Sequence, residues 1–107
     1  IYQKPIVLLV NATTFSSAEN FCVLFKGAKR GKIIGTPTGG STGNPIFIDL
    51  GFGLGCCICT KHELDTDGNE FIGIGIQPDI VAEEDINTFL NNGDSVIEKA
   101  LDFLRSK

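Results

Sequence analysis

Methionine and tryptophan are missing from this sequence altogether, and His62 is its single histidine. With no initiator residue, and with Ile1 to Pro5 leading straight into an apolar run, the chain is expected to be a piece of a longer polypeptide. Long apolar runs are absent too. The longest, Pro5 to Val10, falls far short of the roughly 18 residues that cross a bilayer, so no membrane-spanning segment is expected. Basic residues are scarce: the net charge is −4 and the largest cluster is Lys29-Arg30-Gly31-Lys32. Phosphate backbones are held mainly by Lys and Arg, so nucleic acid is not an expected partner. The basic run follows a predicted helix, where cations complement the negative end of its dipole.

Cysteine is present but sparse in usable pattern. Three of the four, Cys56, Cys57 and Cys59, crowd into one strand-like run and Cys22 stands alone. A zinc site asks for a cysteine pair on a turn and a second ligand pair elsewhere, which this pattern does not offer, so no metal is expected. Alternation along a strand puts Cys57 and Cys59 on one face and Cys56 on the other. All four are expected to be reduced, because bridging neighbours across a strand strains the disulfide, and to be small buried hydrophobes.

What remains is the composition of one small folded unit: 107 residues, 42% apolar and 21% charged. Pro5 to Asn11 reads as a strand buried on both faces. From Ser16 the period becomes helical, with Ala18, Phe21, Cys22, Phe25 and Ala28 on the apolar stripe and Gly31 as the stop. Lys32 to Gly35 is a second strand, which completes a parallel strand, helix, strand unit. Ile46 to Leu50 and Gly53 to Lys61 form a hairpin around Gly51-Phe52-Gly53, and Asp67-Gly68 marks a further turn. QPDIVA gives a short final strand. A C-terminal helix follows, with Asp94 or Ser95 as cap and Val96, Ile97, Ala100, Leu101 and Leu104 as its apolar stripe. The fold class is mixed α/β with an antiparallel hairpin.

Two glycine-rich motifs fail as nucleotide sites. Gly35 to Thr42 lacks the phosphate-binding lysine of a P-loop and runs into a strand rather than a helix. Gly73-Ile74-Gly75 lacks the third glycine and helix of a dinucleotide motif. Phe15-Ser16-Ser17-Ala18-Glu19-Asn20 carries more. Ser16 and Glu19 have the S-x-x-E form of a capping box, which satisfies free N–H groups at a helix start. A serine on a sharp strand-to-helix turn is also well placed as a nucleophile, with the next backbone N–H, that of Ser17, aimed at an oxyanion and the helix dipole adding to its stabilisation. The residues alone leave both readings open.

Read together, LLVNATTFSSAENF, GKIIGTPTGGSTG and DGNEFIGIGIQPDI, in this order, resemble the C-terminal processing peptidases, or tail-specific proteases, and their tricorn-like relatives. The resemblance covers nearly the whole chain, and Gly75 to Ile80 is its most specific part. It implies the C-terminal part of a serine peptidase catalytic domain over residues 1–107, with the spiral β/α core shared by Clp-type proteases and crotonases. Ser16 matches the nucleophile of that family, and no metal or organic cofactor is implied. The substrate would be an extended or unfolded polypeptide, and the partner would be the rest of the catalytic domain, N-terminal to residue 1. The family resemblance favours a cell-envelope or secreted protein, whereas unpaired cysteines fit a reducing compartment.

One departure stands out. The processing peptidases pair the serine with a lysine, and their spacing places Ser41 where that lysine belongs; a serine cannot accept a proton near neutral pH. The tricorn-like branch uses an upstream histidine and a glutamate that aligns with Ile72, with Glu70 expected two residues earlier on the same strand face. Within the chain, His62 or Lys61 would serve as base if the hairpin carried it over Ser16. The candidate site is therefore Ser16, Ser17, His62 and Glu70 for catalysis, with Gly39, Gly40 and Ser41 as the substrate-side loop. The alternative is a non-catalytic module of the same fold that binds a hydrophobic ligand or a peptide.

Overall fold

The computed structural model describes residues 2–107. Its centre is a three-stranded parallel sheet of β1 (Val7–Val10), β2 (Lys32–Gly35) and β5 (Ile80–Val81), ordered β1-β2-β5. Helix α1 (Ser17–Gly27) makes the crossover from β1 to β2, which pair from Val7 with Lys32 to Val10 with Gly35. The middle strand is buried on both faces, and Ile33 and Ile34 are fully enclosed. β1 is an edge strand. Its expected burial on both faces is only partly found: Val10 is buried and Val7 and Leu8 are half-buried, but Leu9, beside the fully enclosed Ile34, stays exposed at the sheet edge.

The core gathers Val10, Cys22, Phe25, Ile33, Phe71 and Ile76. α1 turns Glu19, Cys22 and Phe25 inward, so the stripe expected from sequence is only half right: Ala18, Phe21 and Ala28 are exposed. Burial and then the nearby Glu19 push the Cys22 thiol above its usual pKa, which leaves it an unreactive core residue. C-terminal helix α3 (Ser95–Arg105) packs against β1 and β2, and Asp94 caps it by accepting the Ile97 N–H at 2.8 Å. A short helix, α2 (Ile86–Leu90), precedes it with Asp85 as its cap and was not foreseen from the sequence.

The hairpin pairs β3 (Pro45–Gly51) antiparallel with β4 (Leu54–Cys59) as a sheet of its own. Nothing in the described residues packs over it, so Phe47, Leu50, Phe52 and Leu54 are exposed. For the same reason the cysteines depart from expectation: all four are unpaired, but only Cys22 is buried, while Cys57 and Cys59 are exposed. The projecting hairpin contributes to a radius of gyration of 17.0 Å, against about 13 Å for a compact chain of this length. Among the described residues no helix is long and apolar enough to cross a membrane.

The basic run works differently from a dipole partner. Arg30 donates to the carbonyls of Tyr2 and Lys4 and ties down the segment before β1, while Lys32 pairs with Asp79 at 3.2 Å. Asp79 also accepts the Ile33 N–H at 2.8 Å, fastening the end of the GIGIQPDI segment to β2. Partial burial works to raise the Asp79 pKa, but the Ile33 N–H and the Lys32 ammonium outweigh it and hold the carboxyl below the ordinary range. A folded-state pKa below the unfolded value, about 3.9 for Asp, stabilises the fold above that value and is lost as pH falls through the folded pKa. Urea denaturation from pH 7 down to pH 2 is expected to show Asp79→Asn less stable at neutral pH and with a shallower acid decline than the parent. An acid decline of equal depth in both would remove Asp79 from this role.

Candidate functional site

The β1–α1 turn places the two serines. Asn11 organises it: its side chain accepts from the Thr13 N–H at 2.9 Å, and its carbonyl accepts the Thr14 N–H at 2.8 Å. Ser16 then adopts φ 57 and ψ −128, a left-handed conformation that an L-residue enters only under constraint. The strain has a local consequence. Ser16 and Glu19 keep the capping-box arrangement expected from the sequence, but the half-exposed Ser16 hydroxyl lies beside the Glu19 N–H without forming a cap hydrogen bond. That N–H goes instead to the Ser16 carbonyl at 2.8 Å. Ser17, first in the helix, is an exposed residue, and its N–H has no acceptor among the described residues.

The Ser16 N–H is held by the loop that follows β2. It donates to the Ser41 carbonyl at 2.8 Å and, more weakly, to Glu19 Oε2 at 3.2 Å. Glu19 is fully buried and takes three further donors: the Thr38 hydroxyl at 2.6 Å, the Gly40 N–H at 2.7 Å and the Ser41 N–H at 2.9 Å. A buried carboxylate is tolerated only when its lone pairs are met, and here all four sites are used. Thr38 extends the network, accepting the Ile76 N–H at 2.7 Å, while Gly73 donates to the Gly40 carbonyl at 2.7 Å. The three segments singled out in the sequence are thus joined through the 38–41 loop, which bonds Glu19 on one side and Gly73 and Ile76 on the other.

Of the substrate-side residues, Gly39 and Ser41 are exposed and Gly40 is buried. Ser41 touches Ser16 through its backbone, and its hydroxyl bonds nothing among the described residues. His62 Nε2 lies 3.0 Å from Glu70 Oε1, with both side chains about two-thirds exposed, and no hydrogen bond joins His62, Glu70 or Lys61 to Ser16. The hairpin return meets the loop farther along, where Lys61 N–H donates to the Gly43 carbonyl and Thr42 bonds Glu63. The expectation that Glu70 and Ile72 share a strand face fails. The chain turns at 72–74, with the N–H groups of Ile74 and Gly75 both returning to the Phe71 carbonyl. A groove of about 370 Å³ opens beside the β1–α1 turn, with Leu9, Asn11 and Thr14 on one wall and Asp94 and Ile97 on the other.

The family model for peptidase family S41 matches residues 1–82. The chain belongs to that family. It is 33% identical to the carboxy-terminal-processing protease of Bartonella bacilliformis over 77% of its own length and 19% of the relative's. Among solved structures, a putative peptidase from Parabacteroides merdae superposes with a TM-score of 0.83 at 25% identity, over 96% of this chain and 32% of that one. The tricorn protease does so with a TM-score of 0.82 at 25% identity, over 94% of this chain and 10% of that one. This S41 chain therefore spans less than a fifth of the curated relatives it matches. Its mixed α/β architecture is part of the S41 catalytic core fold.

Sequence reasoning undervalued Glu19 and Thr38. The S-x-x-E pattern marked Glu19 as a helix-cap partner, and nothing local marked Thr38 as its donor, since they meet only after the chain folds back. Close approach of the two loops also fixes Gly75, which has φ +85 and whose absent Cβ would lie 2.0 Å from the Thr38 carbonyl oxygen. Gly73, at φ +76, has open space in that direction. Gly73→Ala is expected to cost about 1 kcal/mol, the ordinary penalty of a left-handed alanine, and Gly75→Ala at least about 3 kcal/mol, because backbone must move. Equal costs by chemical denaturation would contradict the close packing of these loops.

Proposed function

We propose that this chain is the C-terminal part of the catalytic domain of a serine-type peptidase, in which Ser16 forms an acyl-enzyme with an extended or unfolded polypeptide. The observation that carries the reading is the conformation of Ser16: a left-handed, unbonded, half-exposed serine at the start of a helix in an S41 chain. In the proposed reaction Ser16 Oγ attacks the peptide carbonyl, the Ser17 N–H donates to the developing oxyanion, the amine departs, and water releases the acid. The dipole of α1 adds positive potential at the same point.

The general base is proposed to come from outside these residues. Ser41 has no proton-accepting capacity near neutral pH, and the exposed His62–Glu70 pair has no bond to Ser16. The unpartnered hairpin and the fraction of the relatives' length that this chain spans support a companion segment that completes the domain.

A fluorophosphonate probe tests the reading on the full-length polypeptide that carries this chain. Labelling is expected at Ser16, and Ser16→Ala is expected to abolish it and to lower kcat on an unfolded protein substrate by at least about a thousandfold. The isolated 107-residue chain is expected to remain unlabelled. Labelling at another serine would overturn the assignment of Ser16. A folded full-length protein that neither labels nor cleaves would favour the binding module of the same fold.

A further inference from the structure

In an ordinary capping box the glutamate lies at the protein surface and its main bond is to the N-cap N–H. Glu19 inverts that pattern. Its bond to the cap N–H, at 3.2 Å, is the longest of the four, and the three shorter ones, between 2.6 and 2.9 Å, all go to Thr38, Gly40 and Ser41. The side chain is also completely buried, which a helix cap does not require. These distances describe a latch between the helix and a distant loop, with capping as its lesser part.

The latch also sorts the amide donors around Ser16. The N–H groups of Gly40 and Ser41 point into the carboxylate, and that of Ser16 is shared between Glu19 and the Ser41 carbonyl. Ser17 keeps the unpaired amide beside the strained serine. Ser41 is located twice over, through its N–H to Glu19 and through its carbonyl to Ser16, so a shift of the loop is transmitted directly to the Ser16 backbone.

We propose that Glu19 is a positioning residue for the Ser16 reaction, acting through the 38–41 loop to hold the Ser16 backbone in its left-handed conformation with the Ser17 N–H left free. This role rests on the peptidase reading, and it is separable from it because the latch has a readout that does not involve catalysis. Glutamine tests it at constant shape. An NH₂ in place of Oε1 faces the Gly40 N–H, and in place of Oε2 the Ser16 and Ser41 N–H groups, so at least one amide of the loop loses its acceptor whichever way the side chain lies, although the Thr38 hydroxyl can turn to accept.

The experiment compares full-length parent, Glu19→Gln and Thr38→Val by amide hydrogen exchange and by steady-state kinetics with fluorophosphonate labelling. Glu19→Gln is expected to speed exchange at Gly40 or Ser41 by about tenfold or more, the effect of one lost hydrogen bond. It is expected to slow labelling and lower kcat by about a hundredfold, the scale of a small misplacement of a reacting group. KM should stay near the parent's, since Glu19 touches no substrate. Thr38→Val removes one donor to Glu19 and is expected to move the same quantities in the same direction by less.

Parental kcat and exchange in Glu19→Gln would overturn the proposal, as would a raised KM at unchanged kcat. If Glu19→Gln does not fold, Thr38→Val decides by the same criteria. A parent that fails to label would refute the peptidase reading instead, and parental exchange in both variants would then refute the latch itself.

Discussion

The carboxylate of Glu19 is the point on which the site depends. It stands one turn inside α1, yet three of its four donors come from a loop some twenty positions later, and that loop is in turn bonded to the segment around Ile76. Three stretches that are separate in sequence are thereby fixed to one another at the carboxyl end of the sheet. A charge withdrawn from water needs compensation at every lone pair, so the loop cannot drift without leaving part of the carboxylate unmet. The arrangement therefore rigidifies the surroundings of Ser16 while leaving the Ser16 hydroxyl itself unbonded.

Two kinds of stabilisation divide the work. Burial of Val10, Cys22, Phe25, Ile33, Phe71 and Ile76 holds helix and sheet together without direction, whereas the polar contacts of Glu19, Thr38 and Asp79 fix where the connecting segments lie. The hairpin has neither. Its apolar residues face outward, its strands pair only with each other, and an isolated two-stranded sheet is marginal in water. That contrast, together with the share of the relatives' length that this chain spans, is what the proposed companion segment explains.

Local pattern made much of the fold legible. The strand, helix, strand unit, the hairpin turn at Gly51 to Gly53, the Asp94 cap and the final short strand all rest on signals confined to a few neighbouring residues, and the structure places them there. Relations formed across the chain were not legible. Sequence periodicity could not reveal that α1 turns a glutamate inward and Phe21 outward, because the donors that make Glu19 burial tolerable lie in another loop. The usual burial of cysteine misleads in β4, because whether another layer covers a strand is not a local signal. Ser16, by contrast, stood out from its position at a strand-to-helix turn, and its backbone conformation bears on the proposed role without depending on any base within the chain.

The most direct test of the account is detection of the Glu19 hydrogen bonds themselves. Scalar couplings across hydrogen bonds, measured by NMR on isotopically labelled folded protein, report which carbonyl carbon each amide donates to. The account predicts correlations from the Gly40 and Ser41 amides to the side-chain carboxyl carbon of Glu19. Correlations from those amides to backbone carbonyls, with none to Glu19, would contradict it.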